Sequence, residues 1–250
     1  MKRILMIISG LALLLYLVAG IAHAAEPSVT EILRHADRAR GNLAGIVWDI
    51  TITTNEEGRD ETRGLTVKVK GQDTLARYTL PPAYNDRLVL MKDRNMWFIR
   101  SGLRKPVSIS PRQKLMGDAA NGDIASTDYA NDYEGTLTGR EAVKGEECYV
   151  LDLKAANKNV TYDRIRYWVS KDRLVGVKAE FYTLSGKLFK TAEFIYGNRI
   201  MLDTGEEIPF ISKLLIRDAI RKDRITTLGY ANIRVQTVPD SAFNLNLLAR

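Results

Sequence analysis

"GIVWDITITTN", Gly45–Asn55, is the stretch on which the fold turns. Ile46, Trp48, Ile50 and Ile52 alternate with Val47, Asp49, Thr51 and Thr53, so one parity is apolar and the other mostly polar. A period of two predicts a half-buried β-strand. Further strand-like runs follow at Leu65–Val69, Leu75–Leu80, Arg87–Met91, Met96–Arg100, Glu147–Leu153, Thr161–Val169, Leu174–Tyr182, Leu188–Tyr196 and Arg224–Gln236. Turn signals such as Gly71-Gln72-Asp73, Lys92-Asp93-Arg94-Asn95 and Ser185-Gly186 separate most of them. Short gaps between strands favour antiparallel neighbours, that is, a meander.

Helix is scarce. Ser28–Arg40 reads as an amphipathic helix, with Ser28 and Glu31 in capping-box spacing and Gly41-Asn42 as its stop. Its apolar side is Ile32, Leu33, Ala36 and Ala39, and its outward side Arg34, Asp37, Arg38 and Arg40. A turn at Arg112–Met116 and a helix near Ile211–Ile220 are weaker expectations. A long antiparallel sheet with one greasy face has to curl around something; a second layer, helices or a ligand all satisfy that need.

The N-terminus points to export. Lys2 and Arg3 precede an apolar run, Ile4–Ile21, and Ala22-His23-Ala24 has the small-x-small pattern of a signal-peptidase site. Residues 1–24 are expected to be a signal peptide cleaved after Ala24, and 25–250 a single periplasmic domain. The run also approaches the ~18 residues that span a bilayer, so an uncleaved anchor is the competing reading. Cys148 is the one cysteine and excludes an internal disulfide; its place in an alternating strand suits a packed residue. Net charge is +7 and drops by two when Lys2 and Arg3 leave. Exported chains meet little nucleic acid, so the basic clusters Arg100–Lys105 and Arg217–Arg224 read as a solvated face or as attraction to anionic headgroups and acidic partners.

Chemistry-bearing motifs are missing. The one histidine beyond the signal, His35, lies on the first helix. No His-Glu-x-x-His, Gly-x-Ser-x-Gly, Ser-x-x-Lys or phosphate-cradling glycine loop occurs. Asp118, Asp123, Asp128, Asp132 and Glu134 lack the spacing of an EF-hand. No enzyme activity, metal or cofactor is therefore expected. Ile109–Tyr133 reads as a long surface connection with its acids in water, and Glu141–Leu153 as a hairpin strand. A connection of that length serves either as a lid or as a plain linker, with Leu115 and Met116 the apolar residues that would plug or pin it.

Six blocks carry a family resemblance: "RKPVSISPRQKLMG" (Arg104–Gly117), "GDIASTDYANDY" (Gly122–Tyr133), "GEECYVLDLKA" (Gly145–Ala155), "TYDRIRYWVSKD" (Thr161–Asp172), "KAEFYTLSGKLFKTAEF" (Lys178–Phe194) and "VPDSAFNLNLL" (Val238–Leu248). Together they resemble the outer-membrane lipoprotein-sorting proteins of the LolA-like superfamily, in the branch associated with RND-type exporters. The run Thr127–Asp132 departs from the branch pattern by a Phe-to-Tyr and a Glu-to-Asn change.

The resemblance implies a mainly β fold: a strongly curved antiparallel sheet, a half-open β-barrel, with helices and loops covering its concave apolar face. It implies a monomeric, non-enzymatic carrier of lipid or lipoprotein acyl chains, or a lipid-sensing accessory of an RND-type exporter. On that reading Ile46, Trp48, Ile50, Ile52, Leu90 and Trp97 line the cavity. The same aromatics would suit an ordinary core.

Overall fold

The computed structural model describes residues 26–249 apart from 57, 58, 126 and 222; the expected signal segment lies outside them. The chain opens with helix α1 (Val29–Arg38), capped as expected: Ser28 Oγ accepts from the Glu31 N–H, and the Glu31 carboxylate accepts from the Ser28 N–H at 2.8 Å. An antiparallel meander follows, made of β1 (Ile46–Glu56), β2 (Arg59–Lys70), β3 (Asp73–Leu80), β4 (Arg87–Lys92), β5 (Asn95–Arg100) and β6 (Val107–Ile109). Two short strands, β7 (Lys114–Met116) and β8 (Ala119–Ala120), a 3-10 turn at Asn121–Ile124 and the single-turn helix α2 (Tyr129–Asp132) lead to a second meander. That one runs through β9 (Tyr133–Val143), β10 (Glu146–Ala155), β11 (Arg164–Ser170), β12 (Gly176–Tyr182) and β13 (Leu188–Ile195). The hairpin β14 (Asn198–Met201) and β15 (Glu207–Phe210) precedes β16 (Lys213–Asp218), β17 (Ile225–Val235) and the C-terminal turn α3 (Leu245–Leu248).

The two meanders join because β17 pairs with β1 and β16 with β13. The result is one 13-stranded antiparallel sheet in the order β6-β5-β4-β3-β2-β1-β17-β16-β13-β12-β11-β10-β9. Its ends, β6 and β9, do not meet, so the barrel stays open. Ile211–Ile220, a helical candidate in the sequence, contains β16. Leu214 and Ile216 alternate there with Leu215 and Arg217, and the strand gains its ladder from β13 and β17.

Register decides which residues share a face, since directly opposed residues project to the same side. Trp48 lies opposite Val67, Val67 opposite Ala76, Ala76 opposite Val89 and Val89 opposite Phe98. On the other flank Ile52 meets Leu228, then Leu214 and Phe194. Tyr149, Leu151 and Leu153 of β10 meet Val169, Tyr167 and Ile165 of β11. All these residues belong to one continuous apolar cluster on the concave face, with Ile32, Leu33 and Ala36 of α1 packed into it. Cys148 is buried on the opposite face, beside Val150 and Trp168.

Candidate hydrophobic ligand-binding site

Ile46, Trp48, Ile50 and Ile52 are fully buried in the concave cluster. The parity read from Gly45–Asn55 therefore faces inward. Leu90 and Trp97 do not join them. Leu90 opposes Leu75 and Trp97, and Leu75 opposes Lys68, which opposes Val47. Their face is the convex one, where Val47, Leu75, Leu88, Leu90 and Ile99 form a separate cluster with Val238 and Phe243. The C-terminal segment lies over this patch, with Trp97, Leu245 and Leu248 at its margin. Both parities of β4 are thus covered, which is why Arg87–Lys92 reads as a nearly continuous apolar run.

Three pieces close the concave face. Helix α1 lies across it. The β14–β15 hairpin adds Ile200, Ile208 and Phe210, the last with its ring 5.8 Å from that of Trp48. The third piece is 110–132. Met116 is buried in the main cluster and Leu115 is half-buried against it, together with Ala119, Ile124 and Tyr129. This segment is fastened at several points. Arg63 donates to the Leu115 carbonyl at 2.7 Å, and the Asp118 N–H donates to Thr226 Oγ1 at 2.8 Å. Gly117 turns the chain with φ +55°, and a Cβ there would fall 2.3 Å from Thr226 Oγ1.

The acids of 110–132 do not face water as expected. Asp118, Asp123 and Asp128 are buried. Tyr162 donates to Asp123 at 2.9 Å and the Ala120 N–H does so at 2.7 Å; Asn131 and Gln72 donate to Asp128. These hydrogen bonds offset the desolvation of Asp123 and Asp128, while Asp118 Oδ2 lies 3.5 Å from Arg224 Nε. Among the described residues no group of three or more His, Cys, Asp or Glu could hold a metal ion.

Two further polar side chains sit inside. Asp37 and Arg40 are 1% and 8% exposed, although the helix pattern had set them outward. Each lies four residues beyond an inward-facing one, Leu33 and Ala36, so they continue the buried stripe. Asp37 Oδ2 accepts from the Ala130 N–H at 2.9 Å, tying α1 to α2, while its other oxygen has no hydrogen-bond partner. Burial, helped by nearby Asp128, pushes the Asp37 carboxyl up to about 8 despite the backbone N–H bonds it accepts. The Arg40 guanidinium carbon is 4.6 Å from the centre of the Phe194 ring and 5.4 Å from that of Tyr129. Tyr167, Tyr196 and Tyr230 are also close to it, and burial drives all three phenols above their usual range.

Enclosed space is small. The cavity that Arg40 lines, with Asp123, Asp128, Tyr129 and Tyr162, is about 50 Å³, room for a few waters. The larger openings are outside. One of about 770 Å³ runs along Glu134, Thr136, Lys154 and Arg164, with Leu153, Ala155 and Leu184 also in its lining, and is open to solvent. No helix among the described residues is long and apolar enough to cross a membrane.

Fold and site together define a half-barrel whose inner apolar face is sealed by separately fastened covers. A family model described as that of an uncharacterized protein matches residues 70–250, and no curated protein matches the chain. Among solved structures, a LolA superfamily protein from Nitrosomonas europaea is 29% identical with TM-score 0.78, over 88% of this chain and 99% of that one. A protein domain from Vibrio parahaemolyticus, described as outer membrane lipoprotein-sorting, is 19% identical with TM-score 0.74, over 88% and 98%. A DUF1329 family protein from Desulfovibrio piger is 22% identical with TM-score 0.71, over 88% and 97%. These last two show the shared fold. The chain belongs to the family of that model, and in fold and sequence it is similar to the LolA superfamily.

Proposed function

We propose that this protein is a periplasmic carrier or chaperone that shelters acyl chains on the concave face of the half-barrel, on the way towards the outer membrane. A palmitoyl chain in water exposes about 15 methylene groups at about 0.8 kcal/mol each, on the order of 10 kcal/mol in all. Burial against Ile46, Trp48, Ile50, Ile52 and their sheet neighbours offsets that cost without any bond being made or broken. The observation that carries the reading is the cover. In 110–132 it meets the apolar face through Leu115, Met116, Ala119, Ile124 and Tyr129, and hydrogen bonds fasten it besides. Lifting it would expose those few side chains and leave the sheet beneath paired, so opening costs less than unfolding.

Export by the 1–24 segment and a single monomeric domain belong to the same reading. Purification from the native periplasm followed by mass spectrometry of an organic extract tests it. Co-purifying lipid or lipoprotein in near-stoichiometric amount is the expected result. A stoichiometric membrane-protein partner with no lipid would replace the carrier by an exporter accessory.

A further inference from the structure

Arg40 packs against aromatic rings yet keeps a buried nitrogen unsatisfied. It projects from just beyond the end of α1 into the apolar interior, 8% exposed, and its Nη1 has no hydrogen-bond partner among the described residues. Its surroundings are aromatic: Phe194 and Tyr129 by their ring faces, Tyr167, Tyr196 and Tyr230 as further neighbours. Asp37, one helical turn away, makes no hydrogen bond to it among the described residues: its Oδ2 accepts from the Ala130 N–H and its Oδ1 has no partner. Tyr167 Oη and Tyr196 Oη are likewise buried without partners. A guanidinium offers five donors in a planar fork, matched to carboxylate and phosphate oxygens. Buried charges are ordinarily paired, whereas here Arg40 Nη1 and the two hydroxyls are left without hydrogen-bond partners among the described residues.

We propose that Arg40, with the hydroxyls of Tyr167 and Tyr196, is the subsite for an anionic end of the cargo: an acyl chain terminating in a carboxylate or a phosphate. The proposal rests on the carrier reading and narrows it. The thioether, ester and amide groups that join acyl chains to a lipoprotein's N-terminal cysteine carry no charge, and would leave the guanidinium unpaired. A free anionic amphiphile would pair with it. The head would meet Arg40 once the cover lifts, and the chain would run along the concave face beneath it.

The test compares palmitate, hexadecyl phosphate and 1-hexadecanol binding to delipidated wild-type protein, Arg40→Met and Arg40→Lys. Arg40→Met is expected to weaken at least one anionic ligand by about thirtyfold or more, the usual consequence of removing one partner from a buried charge pair. Hexadecanol binding should change by less than about threefold, which also certifies that the variant is folded, and Arg40→Lys should recover part of the loss. Whichever anion shows the larger loss identifies the head group. Equal effects on charged and uncharged ligands would overturn the subsite while leaving the carrier reading standing. Wild-type protein that binds none of the three would bring down both.

Discussion

Replacing Asp37 by Asn tests the electrostatics of the interior directly. The carboxyl is fully buried and titrates at about 8, against 3.8 for an ordinary Asp. Between those two values the folded protein holds a proton that the unfolded chain has released. Stability then falls as pH rises, by up to about 1.4 kcal/mol per pH unit. The penalty is absent below the ordinary Asp range and complete above about pH 8. The full gap corresponds to on the order of 5 kcal/mol, an upper bound because a strained interior relaxes or admits water. Asn resembles the protonated acid and can still accept the Ala130 N–H through its carbonyl, so it carries no such penalty. Urea denaturation of both proteins from about pH 5 to about pH 9 should show Asp37→Asn ahead by only about 1.5 kcal/mol at the acid end, where the unfolded carboxyl is already ionised. At the alkaline end Asp37→Asn should be the more stable by several kcal/mol. Taking the difference cancels the contributions of other groups, such as Asp118, which burial also raises. A difference that stays constant with pH would mean that Asp37 is ionised in the native state. Arg40 would then have a carboxylate partner, and the argument for an anionic cargo end would lose its main support.

Four other expectations follow from the packing. Trp48→Ala should cost about 3–5 kcal/mol of stability and abolish acyl binding in the folded fraction, whereas Thr51→Asp, on the exposed parity, should do neither by the same two assays. Leu90→Ala should destabilise by about 2–5 kcal/mol yet leave palmitate or hexadecanol affinity unchanged, because its cluster lies under the C-terminal segment. Gly117→Ala should cost about 1–3 kcal/mol and speed amide exchange across 110–132, since its φ is +55° and its Cβ would meet Thr226. In delipidated wild-type protein 110–132 should exchange faster than β13 and slow when an acyl ligand is added; exchange indifferent to ligand would leave the segment a connector and remove the lid.

Much of this fold was legible because strand alternation is local. Each residue of Ile46–Thr53 sits on its face whatever strand lies beside it, and the β4, β5, β10, β12 and β13 runs were similarly self-evident. Pairing is not local, and the errors occurred where pairing decides. Leu90 and Trp97 were assigned to the cavity because apolar residues were assumed to share one interior. The register puts them on the opposite face, where Val238 and Phe243, more than a hundred residues further on, provide their cover. Ile211–Ile220 has too short a pattern to separate helix from strand, and its β-form depends on neighbours β13 and β17. The acids of 110–132 look solvent-bound in any window, because their partners Tyr162 and Gln72 come from other parts of the chain.

Asp37 and Arg40 are a different case, because the signal for them was local and was overruled by residue type. Positions 32, 33, 36, 37 and 40 trace one continuous helical stripe, and charge alone argued for turning its last two members outward. An ordinary core would make that argument sound: a buried charge without a partner is a net cost that selection for stability removes. A cavity that receives a ligand obeys a different rule. Its stability is counted with the cargo aboard, and a group left wanting in the closed form is satisfied in the loaded one. Buried and unpartnered polar atoms on an apolar stripe are what would separate a binding interior from a core, and on this stripe they are Asp37 Oδ1 and Arg40 Nη1.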